Sequence, residues 1–251
     1  MDLGLKGKSA IVTGASKGIG KAIALRLAQE GANVAICARG DSELRATEAE
    51  LRRTGVSVIA HVCDVGQADA LDDFLQASRK ALGQIDILIN NASGFGMSDD
   101  DAGWRAGVDV DLMATVRATR TVTSWMAEAG GGAVVHIGSI AGLEANSPSP
   151  YSSVKAALLS HSKTLAIALA PQHIRLNVVA PGSIEFPGGV WDRVKQGNRV
   201  FYDKVLATIP SGRMGTAEEI ADAVVFLASP RASWITGVCL TVDGGQHKGN
   251  L

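Results

Sequence analysis

The stretch T-G-A-S-K-G-I-G, Thr13 to Gly20, joins an apolar run over 9–13 (SAIVT) to an amphipathic stretch over 19–30. Gly14, Gly18 and Gly20 permit a tight turn and a close backbone approach. A helix opening near Gly18 aims its free N–H groups and the positive end of its dipole at an anion. Strand, glycine turn and helix in that order read as a dinucleotide-binding loop. Its glycine spacing differs from the commoner G-x-G-x-x-G pattern. Taken alone, the segment also fits a bare glycine turn.

Working outward, apolar β-rich runs recur at 9–13, 33–37, 57–63, 85–89, 133–137, 175–179 and 238–242. Amphipathic stretches at 19–30, 42–54, 67–82, 104–129, 151–170 and 217–227 alternate with them. Strands apolar on both faces belong inside a parallel sheet covered by helices. The pattern predicts a doubly wound, Rossmann-type α/β fold of about seven strands. No repeat, low-complexity tract or polar linker divides the chain, so residues 1–251 read as one domain. One segment breaks the rhythm. Residues 183–210 mix glycine and charge with Phe186, Trp191, Phe201 and Tyr202, after the sixth strand. Ligands of open α/β sheets bind beyond the carboxyl ends of the strands, so this segment is expected to be a substrate lid. The alternative is a surface helical hairpin whose aromatics pack on the body.

Composition narrows the function classes. Lys and Arg number 24 against 25 Asp and Glu, a net charge of -1, which gives no global pull toward nucleic acid or anionic membrane. Hydrophobic residues at 46% with 4% aromatic and 29 glycines suit a tightly packed α/β protein. Cys37 and Cys63 lie in strand-like runs and read, with Cys239, as free thiols of a reducing cytosol. The histidines show no metal-ligand spacing, so no metal is expected. No apolar run is long enough for a membrane span, and the chain is expected to be cytoplasmic.

The chemistry centres on Tyr151, Lys155 and Ser139. If 150–169 is helical, Tyr151 and Lys155 share a face, and an ammonium beside a phenol favours its ionised form and makes it a usable acid/base. Ser139 closes the run AVVHIGS upstream. A tyrosine four residues before a lysine is weak evidence alone; its setting strengthens it.

TGASKGIG, Asp64 in VCDV, NNAS over 90–93, Ser139, YSSVK over 151–155 and APGSI over 180–184 stand in one order and spacing. In this the chain resembles the short-chain dehydrogenase/reductases over essentially its whole length, and it looks like 3-oxoacyl-acyl carrier protein reductase-like members. The resemblance implies that Tyr151 gives a proton to a substrate carbonyl or takes one from a secondary alcohol. Ser139 would hydrogen-bond the same oxygen, and Lys155 would assist Tyr151 and bind the nicotinamide ribose. It places Gly14, Ser16, Lys17, Gly18, Ile19, Gly20, Asp64, Val65, Asn91, Ala92, Tyr151, Lys155, Pro181, Gly182 and Ile184 against the cofactor. It also implies a homotetramer built on the helices over 104–129 and 151–170 and on the C-terminal strand.

Two positions depart from the pattern. Asp111 stands where the family has an asparagine whose backbone carbonyl relays protons to the lysine. Aspartate keeps that carbonyl and adds a negative charge near Lys155. Ser93 replaces a glycine after NNA, which reads as a turn substitution. For the cofactor, AICARG ends the second strand with Ala38 and Arg39 rather than an acid, and Lys17 adds a second cation. This suits a 2′-phosphate and favours NADP(H), with NAD(H) as the alternative. The expected activity is hydride transfer between NADP(H) and a ketone or secondary alcohol, a 3-oxoacyl thioester among the substrates suggested. Its rivals are an NAD-linked alcohol or polyol dehydrogenase and a weakly catalytic dinucleotide-binding sensor or partner subunit.

Overall fold

The computed structural model describes residues 2–145 and 149–249, so both ends of the expected domain lie outside it. Seven strands form one sheet: β1 Ser9–Thr13, β2 Asn33–Ala38, β3 Val58–Val62, β4 Ile87–Asn90, β5 Gly132–Ile137, β6 Ile174–Pro181 and β7 Cys239–Val242. Their order is β3-β2-β1-β4-β5-β6-β7, and every pairing is parallel. The chain runs outward from β1 to β3 and then returns to β4 on the other side of β1. That reversal opens a crevice at the carboxyl ends of β1 and β4.

The helices are α1 Gly18–Gln29, α2 Asp41–Arg52, α3 Ala68–Leu82, α4 Asp101–Ala106, α5 Ala114–Glu128, α6 Pro150–Leu169, α7 Val190–Gly197, α8 Arg199–Leu206 and α9 Ala217–Ala228. Side-chain alternation along the strands divides the core into two layers. Ala10, Val12, Val34 and Ile36 pack with Ile23 and Leu27 of α1 and with Ile220 and Val224 of α9. Ile11, Ala35, Cys37 and Leu88 pack on the opposite face with Phe74 and Leu75 of α3 and with Val122 and Met126 of α5. Burial of each such Leu, Ile or Phe contributes about 1.5–3 kcal/mol.

The expected helix over 104–129 is instead α4, a π-helical segment Gly107–Met113, and α5. It also begins earlier, because Asp100 caps α4 by accepting from the Gly103 N–H at 2.8 Å. β4 begins two residues later than the apolar run, and β6 extends to Pro181.

β5 carries one titratable side chain into the core. His136 is fully buried between Thr119 Oγ1 at 3.0 Å and Ser162 Oγ at 2.9 Å. Burial first, then the charges of His161 and Lys155, push its pKa down to about 3, so the ring is neutral. Cys37 and Cys63 are buried free thiols and Cys239 is exposed. Among the described residues no helix is long and apolar enough to cross a membrane. Among them, too, no group of three or more His, Cys, Asp or Glu could hold a metal ion.

Candidate active site

The glycine loop leaves β1 into the crevice. Gly14 and Gly18 have φ of 65° and 54°, backbone that L side chains rarely adopt. A Cβ on Gly14 would also lie 2.8 Å from the Ala92 Cα. Asn91 fastens the loop from β4: its Nδ2 donates to the carbonyls of Thr13 at 3.0 Å and Gly14 at 2.9 Å. The Thr13 hydroxyl accepts from the Asn91 and Ala92 N–H groups at 3.0 and 3.2 Å. Asn91 thus works as a brace for the loop.

The N-terminus of α1 has no side-chain cap and no acidic residue in its first turn. By contrast, α9 begins with a full capping box between Thr216 and Glu219. An uncapped N-terminus beyond a glycine turn leaves N–H groups and a positive dipole end available to an anion. These residues fit a dinucleotide pyrophosphate. Ser16 is half-buried in the same loop, its carbonyl accepting from Thr47 Oγ1 at 2.9 Å.

At the end of β2, Arg39 is exposed and makes no ion pair or hydrogen bond among the described residues. Lys17 is less available, its Nζ lying 3.8 Å from the Glu43 carboxylate. Asp64 accepts from the Gly66 N–H at 3.1 Å. Val65 and Ala92 line one recess with Thr13 and Val110. On the far side of the crevice, Gly182 N–H donates to Val242 O at 3.1 Å, and Ile184 bridges to Gly215.

The residues expected to react sit at the ends of β5 and α6. Ser139 caps a 3-10 turn, Ile140–Gly142, its Oγ accepting from the Ala141 N–H at 3.1 Å. That turn packs directly on α6, where a Cβ on Gly142 would lie 3.0 Å from Lys155 Cβ. Pro150 at the first turn starts α6, a position where its missing N–H costs nothing. Tyr151 and Lys155 share a face as expected, with Lys155 Nζ 5.7 Å from the Tyr151 ring centre. Lys155 Nζ donates to Ile137 O at 2.8 Å, tying α6 to the strand end that presents Ser139.

Asp111 lies in the π-helical segment and reaches the same lysine. Its Oδ1 is 3.0 Å from Lys155 Nζ, with side-chain exposures of 0% and 3%. The contact is an ion pair without hydrogen-bond alignment. The other oxygen, Oδ2, accepts from the Gly94 N–H at 2.8 Å. The Asp111 carbonyl, expected to serve as a relay, accepts from Thr115 Oγ1 at 2.9 Å. A carbonyl has a second lone pair, so this bond leaves room for a further donor. The negative charge expected near Lys155 is thus in direct contact with it, while the bond from the Gly94 N–H is one the sequence did not show.

Reasoning from sequence also passed over Phe95. It lies between β4 and α4 with φ of 47°, its ring stacked on Tyr151 at 5.9 Å and 9°. Ser93 Oγ accepts from the Phe95 N–H at 3.1 Å, so the serine that replaces the family glycine shapes this turn. The available signal was an aromatic residue between two glycines, G-F-G over 94–96.

The segment over 183–210 forms α7 and α8. Phe186 rests its ring edge on Gly18 of the glycine loop. Trp191 and Phe201 stack at 6.1 Å, while Tyr202 is buried with Ile209 and Met214. The Tyr202 hydroxyl donates to Glu185, whose other oxygen pairs with Lys195 at 2.7 Å. Lys195 first, and then Tyr202, hold the Glu185 carboxyl below its ordinary range.

Residues 14–247 match the protein-family model described as Enoyl-(Acyl carrier protein) reductase. Over 255 residues the chain is 36% identical to the 3-oxoacyl-[acyl-carrier-protein] reductase FabG of Escherichia coli (strain K12), covering 98% of this chain and 99% of that protein. L-sorbose reductase from Gluconobacter frateurii, solved with NADPH and L-sorbose, is similar at TM-score 0.91 and 34% identity, over 99% of this chain and 100% of that one. A 7α-hydroxysteroid dehydrogenase complexed with NADH and 7-oxo glycochenodeoxycholic acid is similar at TM-score 0.89 and 33% identity, over 97% and 96%. One of these structures holds NADPH and the other NADH, so overall likeness does not choose between the two cofactors.

Proposed function

The chain belongs to the short-chain dehydrogenase/reductase family of oxidoreductases, and from that premise we propose that it is an NADP(H)-dependent ketone reductase or secondary-alcohol dehydrogenase. The observation that carries this reading is that Tyr151 and Lys155 share one face of α6, with Lys155 Nζ tied to Ile137 O at the end of the strand that leads to Ser139. When bound, the nicotinamide supplies or accepts the hydride. Tyr151 gives the proton to the carbonyl oxygen in reduction and removes it from the alcohol in oxidation. Ser139 donates a second hydrogen bond to that oxygen, where negative charge develops.

Lys155 steadies Tyr151 and meets the nicotinamide ribose, and Ile137 O and Asp111 hold its position. The glycine loop, from Gly14 through Ser16, Lys17 and Ile19 to Gly20, takes the pyrophosphate. Asp64, Val65 and Ala92 face the adenosine, and Pro181, Gly182 and Ile184 face the nicotinamide end. Arg39 reads the 2′-phosphate, supported by its exposure and lack of a partner among the described residues. A 3-oxoacyl thioester is a substrate suggested by the 36% identity to FabG.

The buried Asp111–Lys155 pair is the one observation that favours a second reading, a dinucleotide-binding protein of low catalytic power. Titrating the pure chain with NADPH and NADH, then measuring turnover over a ketone panel, separates the two. Tight NADPH binding with turnover supports the reductase; binding without turnover supports the sensor. Preferred use of NADH would overturn the cofactor assignment.

The working form is a cytoplasmic homotetramer, one domain per chain, with residues 183–210 as its substrate lid. Support for assembly comes from the sheet edge at β7. Trp234 is 99% exposed just before β7, Val238 and Leu240 are exposed at that strand, and Ile167 is exposed on α6. A stable monomer in sedimentation at micromolar concentration would overturn that assembly.

A further inference from the structure

Phe95 is held where folding alone has little use for it. The glycines on either side are dictated by packing: a Cβ on Gly94 would run into the Ala106 carbonyl oxygen, and one on Gly96 into that of Gly103. The segment is thereby pressed against α4. Three hydrogen bonds fix its path. Gly94 N–H donates to Asp111 Oδ2 at 2.8 Å, Phe95 N–H to Ser93 Oγ at 3.1 Å, and Tyr151 N–H to Gly96 O at 3.0 Å.

Between these ties Phe95 adopts a φ of 47°, a region that bulky side chains avoid. The residue is 52% exposed and so gains only part of the burial that rewards an aromatic side chain. Strain of this kind persists where surrounding structure over-determines it, and it clusters at ligand clamps. The ring lies nearly parallel to Tyr151, at 9°, which places an open aromatic surface beside the phenol.

We infer that Phe95 determines specificity, and that this site takes ketones, or the corresponding alcohols, with an aryl group beside the reacting carbon. The inference rests on the proposed role of Tyr151 as the proton donor. The substrate's aryl ring packs on the exposed surface of Phe95 while its oxygen meets the Tyr151 hydroxyl. Aromatic pairs prefer offset or edge-to-face arrangements, for which a rigid aryl ketone is preorganised. A flexible aliphatic chain loses rotamer freedom in making the same contact. In the reduction, Tyr151 would give its proton to the carbonyl oxygen as the carbonyl π pair is taken up there, and bound NADPH would supply the hydride for the new C–H bond and be released as NADP+.

The test compares kcat/KM for acetophenone and 2-octanone, ketones of equal carbon number, with NADPH and with NADH. The proteins are the full chain, Phe95→Leu and Phe95→Tyr, each checked for an unchanged circular dichroism spectrum. Leucine keeps apolar bulk and makes the same backbone demand, so the substitution removes the flat ring alone. The aryl-to-aliphatic ratio should favour acetophenone in the parent and fall about three- to tenfold in Phe95→Leu, the worth of one aromatic pair. Tyrosine should restore it. Turnover with a ratio unmoved by Phe95→Leu, or a parent preference for 2-octanone, overturns this inference and leaves the oxidoreductase reading standing. A folded chain that binds cofactor but turns over neither these nor any other ketone overturns that reading, and this inference with it.

Discussion

The two sides of the crevice reach their geometry by different routes. On the β1–β3 side, the glycine loop takes its conformation chiefly from its own residues, with Asn91 bracing it from β4. Gly14 and Gly18 supply positive φ, and the uncapped N-terminus of α1 follows at once. On the β4–β6 side, groups distant in the chain are brought together. Asp111 in the π-helical segment meets Lys155 in α6 at 3.0 Å and Gly94 in the loop after β4 at 2.8 Å. Phe95 from that loop stacks on Tyr151 at 5.9 Å. A locally encoded cradle tolerates change around it. A site assembled from long-range contacts is sensitive to each of them, and it is where this chain departs from its family.

The largest expected effect tests that sensitivity. Asp111→Ala removes one partner of a buried ion pair together with the acceptor for Gly94 N–H, and should lower unfolding stability by about 3–5 kcal/mol. Urea denaturation reads this directly. Asp111→Asn keeps an acceptor for Gly94 and should retain fold and turnover. If the alanine variant is as stable as the parent, the two sides of the crevice do not differ in the way described.

Next is Tyr151→Phe, which should keep cofactor affinity and lower turnover by at least about a hundredfold, the low end for loss of a positioned acid/base. Near-normal turnover would remove Tyr151 from its role. The contrast sharpens at Arg39, on the locally built side. Arg39→Ala should cost about 1.5–3 kcal/mol of NADPH binding, roughly ten- to a hundredfold, and leave NADH binding little changed. An unmoved ratio of the two dissociation constants would mean that Arg39 does not read the phosphate. Ala38→Asp added to it should then turn preference toward NADH.

The smallest effect per unit change concerns His136, buried behind the β4–β6 side. Its folded pKa, about 3, lies below the ordinary value of 6.5, so protonation favours the unfolded chain. The neutral ring's contribution is fully present above about pH 6.5 and is lost as pH falls toward the folded value, at about 1.4 kcal/mol per pH unit. Unfolding titrations of the parent and His136→Gln should diverge in slope between pH 6 and 4 by about that amount. Parallel slopes would show that His136 does not carry the linkage.

Much of this was legible in the sequence because it follows from short-range rules. Strand alternation and helical periodicity placed the seven strands and their helices, and the glycine loop marked where a phosphate fits. Tyr151 and Lys155 share a face because they are one helical turn apart. The expected single helix over 104–129 came out as two helices around a π-helical segment, since a one-residue widening of the ladder leaves no trace in hydrophobic period. Asp111 was legible as a departure that sets a negative charge near Lys155, while its bond to the Gly94 N–H was not. Asn91 was legible as a residue of the cofactor side, and its side-chain bonds to the carbonyls of Thr13 and Gly14 were not.

By itself, then, the amino-acid order determined the parallel sheet, the glycine turn that leads into α1 and the placing of Tyr151 and Lys155 on one helical face, because each depends on spacing along one strand, turn or helix. The tertiary structure alone decided that Asp111 spends one carboxylate oxygen on Lys155 and the other on the Gly94 N–H, and that Phe95 stacks on Tyr151. Those contacts join segments remote in the chain. Their geometry is set by how the π-helical segment, the loop after β4 and α6 pack together, and no local pattern of residues records it.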